Sequence, residues 1–225
     1  MSAIQLIHAE AGSAPTGTGS FRYFTNFTVL AQNIAFAKVV GLWGHDQDLN
    51  TWSFFPGTFS RSVNGNMEIW QGGINETQID QFVVEYGVSG QIFWDNNGEF
   101  NYVLATGPAH TDGIGTSVLG PNVFVADWDL DPVGNLSVEI LVQDIAFAKQ
   151  VAIVYTTNNW ATFQNAFATF QQAFAPSSLP HQIQVELWKV DVSVGVGKTG
   201  QFAAFYIVEG NTYWDNNFTS NYTFS

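Results

Sequence analysis

The sequence predicts an all-β protein made of two β-sandwich domains in tandem, and two observations carry this prediction. First, two motifs each occur twice: Trp-Asp-Asn-Asn at 94–97 and 214–217, and Asn/Asp-Ile-Ala-Phe-Ala-Lys at 33–38 and 144–149. The repeat is longer than the roughly 20–50 residues of a solenoid unit, so each copy has the size of a domain. Second, short runs of alternating apolar and polar residues, separated by Gly, Asn and Pro, are typical of sandwich strands.

The predicted strands follow the same order in both copies. In the first copy they are 4–9, 21–31, 35–43, 67–70, 81–88, 91–94 and 102–104. In the second copy they are 122–127, 136–142, 146–155, 183–190, 202–208, 212–214 and 222–224. The dipeptides Ser89-Gly90 and Glu209-Gly210 predict hairpin turns that place each Trp-Asp-Asn-Asn motif at the end of a strand.

One segment has an ambiguous pattern, because its aromatic residues fall at helical spacing. They are Trp160, Phe163, Phe167, Phe170 and Phe174. The corresponding segment of the first copy contains Pro56 and Gly57, which rule out a helix of that length. Since repeated domains should share their structure, we predict loop and strand here.

The segment 105–116 is rich in Gly, Thr, Ala and Pro and predicts a short linker. The predicted domains are therefore 1–106 and 117–225. Two similar domains joined in this way could bind one long polymer, and the second contact would gain an effective concentration worth ~10²–10⁴-fold. The first and last residues, Met1 and Ser225, lead us to expect a complete product.

The composition narrows the classes of partner. Charged residues make up 11% of the chain and aromatic residues 16%, with only six Lys and Arg and a net charge of −13. This balance excludes nucleic acid and anionic membranes as partners, because both need clustered cations. The N-terminus lacks a signal-peptide pattern and the chain has no cysteine, which favours the cytoplasm, with secretion as the alternative if a signal was removed. Four histidines stand singly, so we expect neither a metal site nor a cofactor.

Each Trp-Asp-Asn-Asn motif places an indole beside a cluster of amide side chains. The flat ring can stack on the apolar face of a sugar while the amides bind its hydroxyl groups. We expect Asp95 and Asp215 to organise their loops by accepting hydrogen bonds from backbone N–H groups, and Tyr102 and Tyr222 to pack. The repeated motif therefore predicts two carbohydrate-binding sites.

The ordered set of motifs resembles a known family. The Ile-Ala-Phe-Ala-Lys strand, the following Trp, and the strand into Trp-Asp-Asn-Asn are similar in both copies to the starch-binding domains of carbohydrate-binding module family twenty-one. That family includes the starch-binding domain of fungal glucoamylase and the glycogen-binding domain of protein phosphatase 1 targeting subunits. The resemblance implies immunoglobulin-like β-sandwiches that bind α-1,4-glucan (starch, glycogen or maltooligosaccharide) without catalysis.

The resemblance also implies the site residues. A main site in each copy would pair two tryptophans, Trp52 with Trp94 and Trp160 with Trp214. The side chains that would bind sugar hydroxyls are Lys38, Asn96, Asn97 and Asn101 in the first copy and Lys149, Asn216, Asn217 and Asn221 in the second. A second site would pair Phe36 with Phe59, and Phe147 with Phe170.

Two departures from the family leave the ligand open. Val83 and Ala203 stand where some members carry a tyrosine of the main site, and the loop before Trp52 holds the additional Trp43 and His45. One alternative is a cytosolic fungal-type lectin that binds a different glycan on the same scaffold. A glycogen-targeting phosphatase scaffold is disfavoured because no basic residue begins the required docking motif, and an enzyme is disfavoured because no motif pairs two carboxylates. The oligomeric state is left open.

Overall fold

The computed structural model describes residues 2–17, 21–104, 113–175 and 181–225, and all regular structure in these ranges is β-strand. The chain divides into two units. The first comprises Met1–Gly120 and Phe174–Gln184, and the second comprises Pro121–Ala173 and Val185–Ser225. The all-β prediction with two sandwich domains is confirmed.

The first unit packs two antiparallel sheets against each other. Its strands are β1 (Ile4–Pro15), β2 (Phe21–Gln32), β3 (Lys38–Asp46), β4 (Thr51–Pro56), β5 (Thr58–Val63), β6 (Met67–Asn75), β7 (Ile79–Val88), β8 (Gln91–Asp95), β9 (Tyr102–Val103) and β10 (Gly113–Leu119). One sheet has the order β10-β1-β2-β6-β5, and the other has the order β4-β3-β7-β8, with β9 also paired to β7.

The second unit repeats this plan without a counterpart of β10. Its strands are β11 (Val123–Leu130), β12 (Asn135–Gln143), β13 (Lys149–Thr156), β14 (Gln164–Phe167), β15 (Thr169–Ala173), β16 (Val185–Ser193), β17 (Gly200–Val208), β18 (Asn211–Asp215) and β19 (Tyr222–Phe224). The sheets are β11-β12-β16-β15 and β14-β13-β17-β18, with β19 paired to β17.

The alternation along β7 shows why these sequences fold in this way. Phe82, Val84, Tyr86 and Val88 are buried in the core that the two sheets share, while the residues between them lie on the opposite face. Strand β17 repeats the pattern with Phe202, Ala204, Tyr206 and Val208. Burying each large side chain contributes roughly 1.5–3 kcal/mol. The phenol groups of Tyr86 and Tyr206 donate hydrogen bonds to backbone carbonyls at 2.6 and 2.8 Å, so the cores hold no unsatisfied hydroxyl there.

The unit boundary differs from the predicted domains 1–106 and 117–225. Strand β10 pairs with β1 and buries Val118 in the first core, so the first unit extends to Gly120. Of the predicted linker, residues 105–112 lie outside the described residues, and 113–116 belong to β10. The segment Phe174–Gln184 also belongs to the first unit, where the Gln182 side chain bonds both the N–H and the carbonyl of Val103.

The segment with helical spacing forms a loop and the strands β14 and β15, as predicted against the helix. Its counterparts in the first unit, β4 and β5, are absent from the strands predicted by alternation. All four lie at sheet edges, and their side chains are mostly exposed on both faces. Without a buried face there is no hydrophobic alternation, so the pattern could not locate them.

Candidate functional site

Each Trp-Asp-Asn-Asn loop is held by the carboxylate of its aspartate. Asp95 Oδ2 accepts a hydrogen bond from the backbone N–H of Leu6 at 2.7 Å, and Oδ1 accepts one from the Tyr102 hydroxyl at 2.9 Å. Burial raises the pKa of Tyr102, with a further contribution from the negative charge of Asp95, so the phenol stays protonated and donates. The predicted roles of Asp95 and Tyr102, as loop organiser and packing residue, are confirmed.

The second loop repeats these contacts. Asp215 Oδ2 accepts hydrogen bonds from the N–H of Val125 at 2.7 Å and from the Tyr222 hydroxyl at 2.8 Å, while Oδ1 accepts one from the N–H of Asn217 at 3.1 Å. Tyr222 stacks on the core residue Phe202 with ring centroids 5.1 Å apart. Each loop is thus tied to the first strand of its own unit.

The asparagines of the first loop fold it into a tight turn with positive φ angles. Asn101 donates its N–H to the Asn96 carbonyl at 3.0 Å, and Asn97 Nδ2 donates to the Asn101 carbonyl at 2.9 Å. Asn96 Oδ1 accepts the N–H of Glu99 at 3.2 Å. The amides predicted to bind sugar hydroxyls therefore also build the loop, which holds their remaining polar atoms in place.

The corresponding asparagines of the second loop make the same bonds. Asn221 donates its N–H to the Asn216 carbonyl at 2.8 Å, and Asn217 Nδ2 donates to the Asn221 carbonyl at 3.1 Å. In addition, Asn221 Nδ2 donates to Gln201 Oε1 at 3.2 Å. The same oxygen accepts the indole N–H of Trp160 at 2.8 Å, so Gln201 brings Trp160 and the second loop together.

The tryptophans of both motifs lie at the surface. Trp94 is 46% exposed at the end of β8, and Trp214 is 55% exposed at the end of β18. The hairpin turns that precede these strands have positive φ at both central residues, 51° and 77° at Ser89-Gly90 and 49° and 76° at Glu209-Gly210. This is the two-residue turn predicted from the sequence, and it fixes the indole on a paired strand.

The first unit carries Trp94 and Trp52 on one face of the sheet β4-β3-β7-β8. Trp94 is the cross-strand partner of Glu85, which is the partner of Gly41 on β3, and Trp52 is the partner of His45 further along β3. Cross-strand partners point to the same side, and an even number of residues separates Gly41 from His45. We call this side, which carries Trp43, Trp52, Phe54, Glu85 and Trp94, the outer face.

The two tryptophans lie at opposite corners of the outer face. Three strand spacings separate β8 from β4, and the two residues are offset along the strands by a similar length, which places their backbones about 20 Å apart. Trp52 is 43% exposed and contacts His45, with ring centroids 5.5 Å apart. A hydrogen bond from His45 to Asp80 raises the pKa of the imidazole, which favours the charged ring.

The second unit arranges its aromatic residues differently. Trp214 contacts Phe205, its partner on β17, with centroids 5.2 Å apart. Trp160 lies in a turn with φ of 65°, whereas Trp52 lies within strand β4. By the pairing of Tyr155 with Gln164, the residue in the position of Trp52 is Phe163, which is 64% exposed. The predicted correspondence of Trp52 with Trp160 needs this correction, because the two hairpins have the same register and Trp160 lies three positions before the residue that matches Trp52.

The two lysines assigned to sugar hydroxyls are enclosed. The Lys38 side chain is 4% exposed, and its ammonium group bonds Glu68 at 2.8 Å and Asn33 at 2.7 Å. The Lys149 side chain is 3% exposed and bonds Asp144 and Glu186. Burial lowers the pKa of Lys149, but the hydrogen bonds that its ammonium group donates to these two carboxylates outweigh it and raise the pKa overall. Both amines are held in internal ion pairs, so we leave them out of the proposed sites.

The aromatic residues of the predicted second sites have the same exposure and packing in both units. Phe36 and Phe147 are fully exposed, and Phe59 and Phe170 are half exposed on edge strands. Phe59 packs edge-on against Trp70, and Phe170 packs edge-on against Trp188, with centroids 6.0 and 5.7 Å apart.

In each unit, the glutamate that binds the enclosed lysine also accepts a hydrogen bond from the tryptophan beside the predicted second site. Glu68 accepts the Trp70 indole N–H at 3.1 Å, and Glu186 accepts that of Trp188 at 2.9 Å. The sequence reading missed both tryptophans. Each tryptophan lies two positions after its glutamate on a paired strand, so the two side chains lie on the same face. This spacing was the signal available in the sequence.

Within the described ranges, no group of three or more His, Asp and Glu side chains is placed to hold a metal ion. Those residues also contain no helix of a length and hydrophobicity that would span a bilayer.

Comparison with known proteins supports the resemblance for the second half of the chain. Residues 121–225 match the model of the carbohydrate/starch-binding module (family 21). A curated relative, glucoamylase 1 of Rhizopus oryzae, is 30% identical over 82 residues, which are 35% of this chain and 14% of the relative. The chain thus matches only a small part of that enzyme's length.

Two solved structures are similar to about half of the chain. One is the starch-binding domain of Rhizopus oryzae glucoamylase in complex with β-cyclodextrin and maltoheptaose, at 25% identity, covering 47% of this chain and 95% of that one, with a TM-score of 0.37. The other is the carbohydrate-binding module of the muscle glycogen-targeting subunit of protein phosphatase 1, at 20% identity, covering 46% and 74%, with a TM-score of 0.36.

Proposed function

From the premise that residues 121–225 match a carbohydrate/starch-binding module, we propose that this chain is a non-catalytic carbohydrate-binding protein with two modules. Its ligand is an α-glucan such as starch, glycogen or a maltooligosaccharide. The observation that carries the proposal is the repeated loop frame, in which an aspartate fastened to the first strand of the unit presents an exposed tryptophan, Trp94 or Trp214.

A rigid exposed indole suits the apolar face of a pyranose. Trp94 and Trp214 sit on paired strands, so stacking a sugar on them costs little additional ordering of the protein. By analogy with stacked bases, each such contact is worth ~1–3 kcal/mol. Amide groups that the loop bonds already orient, such as those of Asn101 and Asn221, supply hydrogen bonds to hydroxyl groups.

The carboxylates beside the loops support a binding role over a hydrolytic one. Asp95 and Asp215 each accept several hydrogen bonds that hold their loops, and Glu85 accepts the indole N–H of Trp43. A glycosidase requires one carboxyl group as acid and a second as base or nucleophile, roughly 5–9.5 Å apart across the bond. Side chains committed to structural hydrogen bonds are poor candidates for those roles.

Isothermal titration with maltoheptaose tests the proposal. The proteins to compare are the wild type, Trp94→Ala, Trp214→Ala, the double variant, and Val196→Ala as a control on an exposed apolar side chain outside both loops. Each single variant is expected to lose one binding site, at a cost of ~1–3 kcal/mol, or roughly 5- to 150-fold, at the altered site. The double variant should lose both sites, and the control should bind like the wild type.

A lectin that recognises another glycan on this scaffold is the second candidate. Val83 and Ala203 favour it, because these small side chains stand where some family members carry a tyrosine of the main site. A glycan array separates the two candidates. Strong binding to amylose or β-cyclodextrin supports the α-glucan ligand, and exclusive binding to a different glycan refutes it.

A further inference from the structure

The outer face of the first unit carries an indole that the two-tryptophan site does not use. Trp43 lies on β3 between its cross-strand partners, Phe54 on β4 and Val83 on β7. It is half-buried, and its ring centroid lies 5.8 Å from that of Phe54. Its indole N–H donates to the carboxylate of Glu85, which is the partner of Trp94. Trp43 therefore stands between the two corners of the outer face.

Building on the proposed function, we propose that Trp43 is the central stacking platform of an extended glucan site in the first unit. The site runs diagonally across β8, β7, β3 and β4 from Trp94 to Trp52. The ligand is a linear oligosaccharide of several glucose units, and the first unit takes a longer run of units than the second.

The length of the outer face requires a platform in the middle. The backbones of Trp94 and Trp52 are about 20 Å apart, so no single sugar ring contacts both indoles. A chain that reaches from one to the other crosses β3 and β7, where Trp43 presents the next aromatic surface. The bond to Glu85 fixes the rotation of this indole, which lowers the entropy lost on binding.

The residues beside Trp43 on the line from Trp94 to Trp52 leave room for the aromatic rings. A Cβ atom at Gly41 would lie 2.3 Å from the backbone carbonyl oxygen of Phe55 and 2.8 Å from the ring of Phe54, so glycine lets both β4 and that ring lie close to β3 beside Trp43. On the other side of Trp43, the small side chain of Val83 leaves the indole less covered than a tyrosine would. The missing tyrosine and the additional tryptophan thus lie directly opposite each other on neighbouring strands.

The second unit lacks this central platform. By strand register, Val154 takes the place of Trp43, and its partners are Asn165 and Ala203. Trp214 packs on Phe205, and the exposed Phe167 is the partner of Ala152 on the edge strand β14. Phe163 takes the position of Trp52, and Trp160 lies beside Gln201. The outer face of the second unit therefore offers separate contacts where the first offers a continuous diagonal.

The test measures how affinity depends on ligand length. In the full chain, Trp160→Ala, Phe163→Ala and Trp214→Ala silence the second unit, and the first unit is then titrated with maltotriose and maltoheptaose. Trp43→Val, which copies the second unit, should weaken maltoheptaose at least ~10-fold while changing maltotriose by less than ~3-fold, since one stacked contact is lost only for the longer ligand. Trp43→Phe retains an aromatic ring and should lose much less, which also covers the case that the valine variant fails to fold.

The outcomes separate this inference from the proposed function. Trp128→Phe on the same background serves as the control and should change neither affinity. If both ligands bind but Trp43→Val and Trp43→Phe change neither, or change both equally, the extended site is refuted and the proposed function stands. If neither ligand binds even with Trp43 intact, the proposed function of the first unit is refuted together with the inference.

Discussion

Asp95 accepts a hydrogen bond from the backbone N–H of Leu6 at 2.7 Å, although the two residues are 89 positions apart in the chain. The bond joins the loop after β8 to the first strand of the opposite sheet. In the second unit, Asp215 and the N–H of Val125 form the same bond at 2.7 Å, 90 positions apart. The orientation of each exposed tryptophan therefore depends on a contact between the two sheets of its own unit.

Asp95→Asn should destabilise the first unit and weaken its ligand binding. An asparagine offers one acceptor oxygen where the carboxylate serves Leu6, Tyr102 and Asn97. The expected loss is about 1.5–3 kcal/mol of unfolding free energy, as for a hydrogen bond to a charged group. Urea denaturation and maltoheptaose titration measure the two effects. Asp48→Asn, on an exposed turn, should leave both unchanged, and an unaffected Asp95→Asn protein would contradict the role of this bond.

Lys149→Met should be strongly destabilising, because it leaves Glu186 without its cation in a largely enclosed position. Breaking one side of such a pair costs about 3–5 kcal/mol. The double variant Lys149→Met with Glu186→Gln should recover part of the loss, since only the more exposed carboxylate of Asp144 then remains without the cation. Chemical denaturation of both proteins checks this. A double variant less stable than Lys149→Met alone would argue against the ion pair as the cause.

Acid should weaken the first unit through His8. Burial lowers the pKa of this histidine from 6.5 to about 4, and its Nε2 lies 3.0 Å from Ser117 Oγ on β10 and 4.0 Å from the Glu10 carboxylate. The unfolded state binds this proton more tightly than the folded state does. The stabilisation associated with neutral His8 is therefore complete above pH 6.5, and about 3 kcal/mol of it is lost as the pH falls towards 4.

Hydrogen exchange of β1 and β10 between pH 7 and pH 4.5, corrected for the intrinsic pH dependence of amide exchange, measures this loss. His8→Gln should flatten the pH dependence of protection in these two strands. The strands of the second unit provide the internal control. Equal pH dependence in His8→Gln and the wild type would rule out His8 as the sensor.

Gln201→Met should lower affinity in the second unit with little change in stability. Gln201 Oε1 accepts hydrogen bonds from Trp160 and from Asn221, so its removal releases both side chains from their positions. We expect a roughly 5- to 10-fold loss of maltoheptaose affinity at that site, comparable to one neutral hydrogen bond of about 1 kcal/mol. The matched control is Gln81→Met, at the equivalent position of the first unit. Equal losses in both units would show that the contact with Trp160 is not the cause.

The buried strands could be read from the sequence because each has one buried face. In β7 the core side chains alternate with more exposed residues, so the pattern itself identifies the strand, whereas in β17 the intervening Ala203 and Phe205 are buried as well. The edge strands β4, β5, β14 and β15 have no buried face and left no such pattern. The sequence showed Trp43 only as an additional tryptophan before Trp52, and the strand register placed it on the outer face between Trp52 and Trp94.

The sequence by itself determined the duplication, the all-β class and the two loops that present Trp94 and Trp214, because repeated motifs, alternation and turn residues are local properties of the chain. Only the tertiary structure decided which side chains share a face and which charges are enclosed. It placed Trp43 between Trp94 and Trp52, moved Lys38 and Lys149 into internal ion pairs, and assigned Phe174–Gln184 to the first unit. These outcomes depend on strand register and on contacts between residues distant in sequence, which spacing along the chain does not encode.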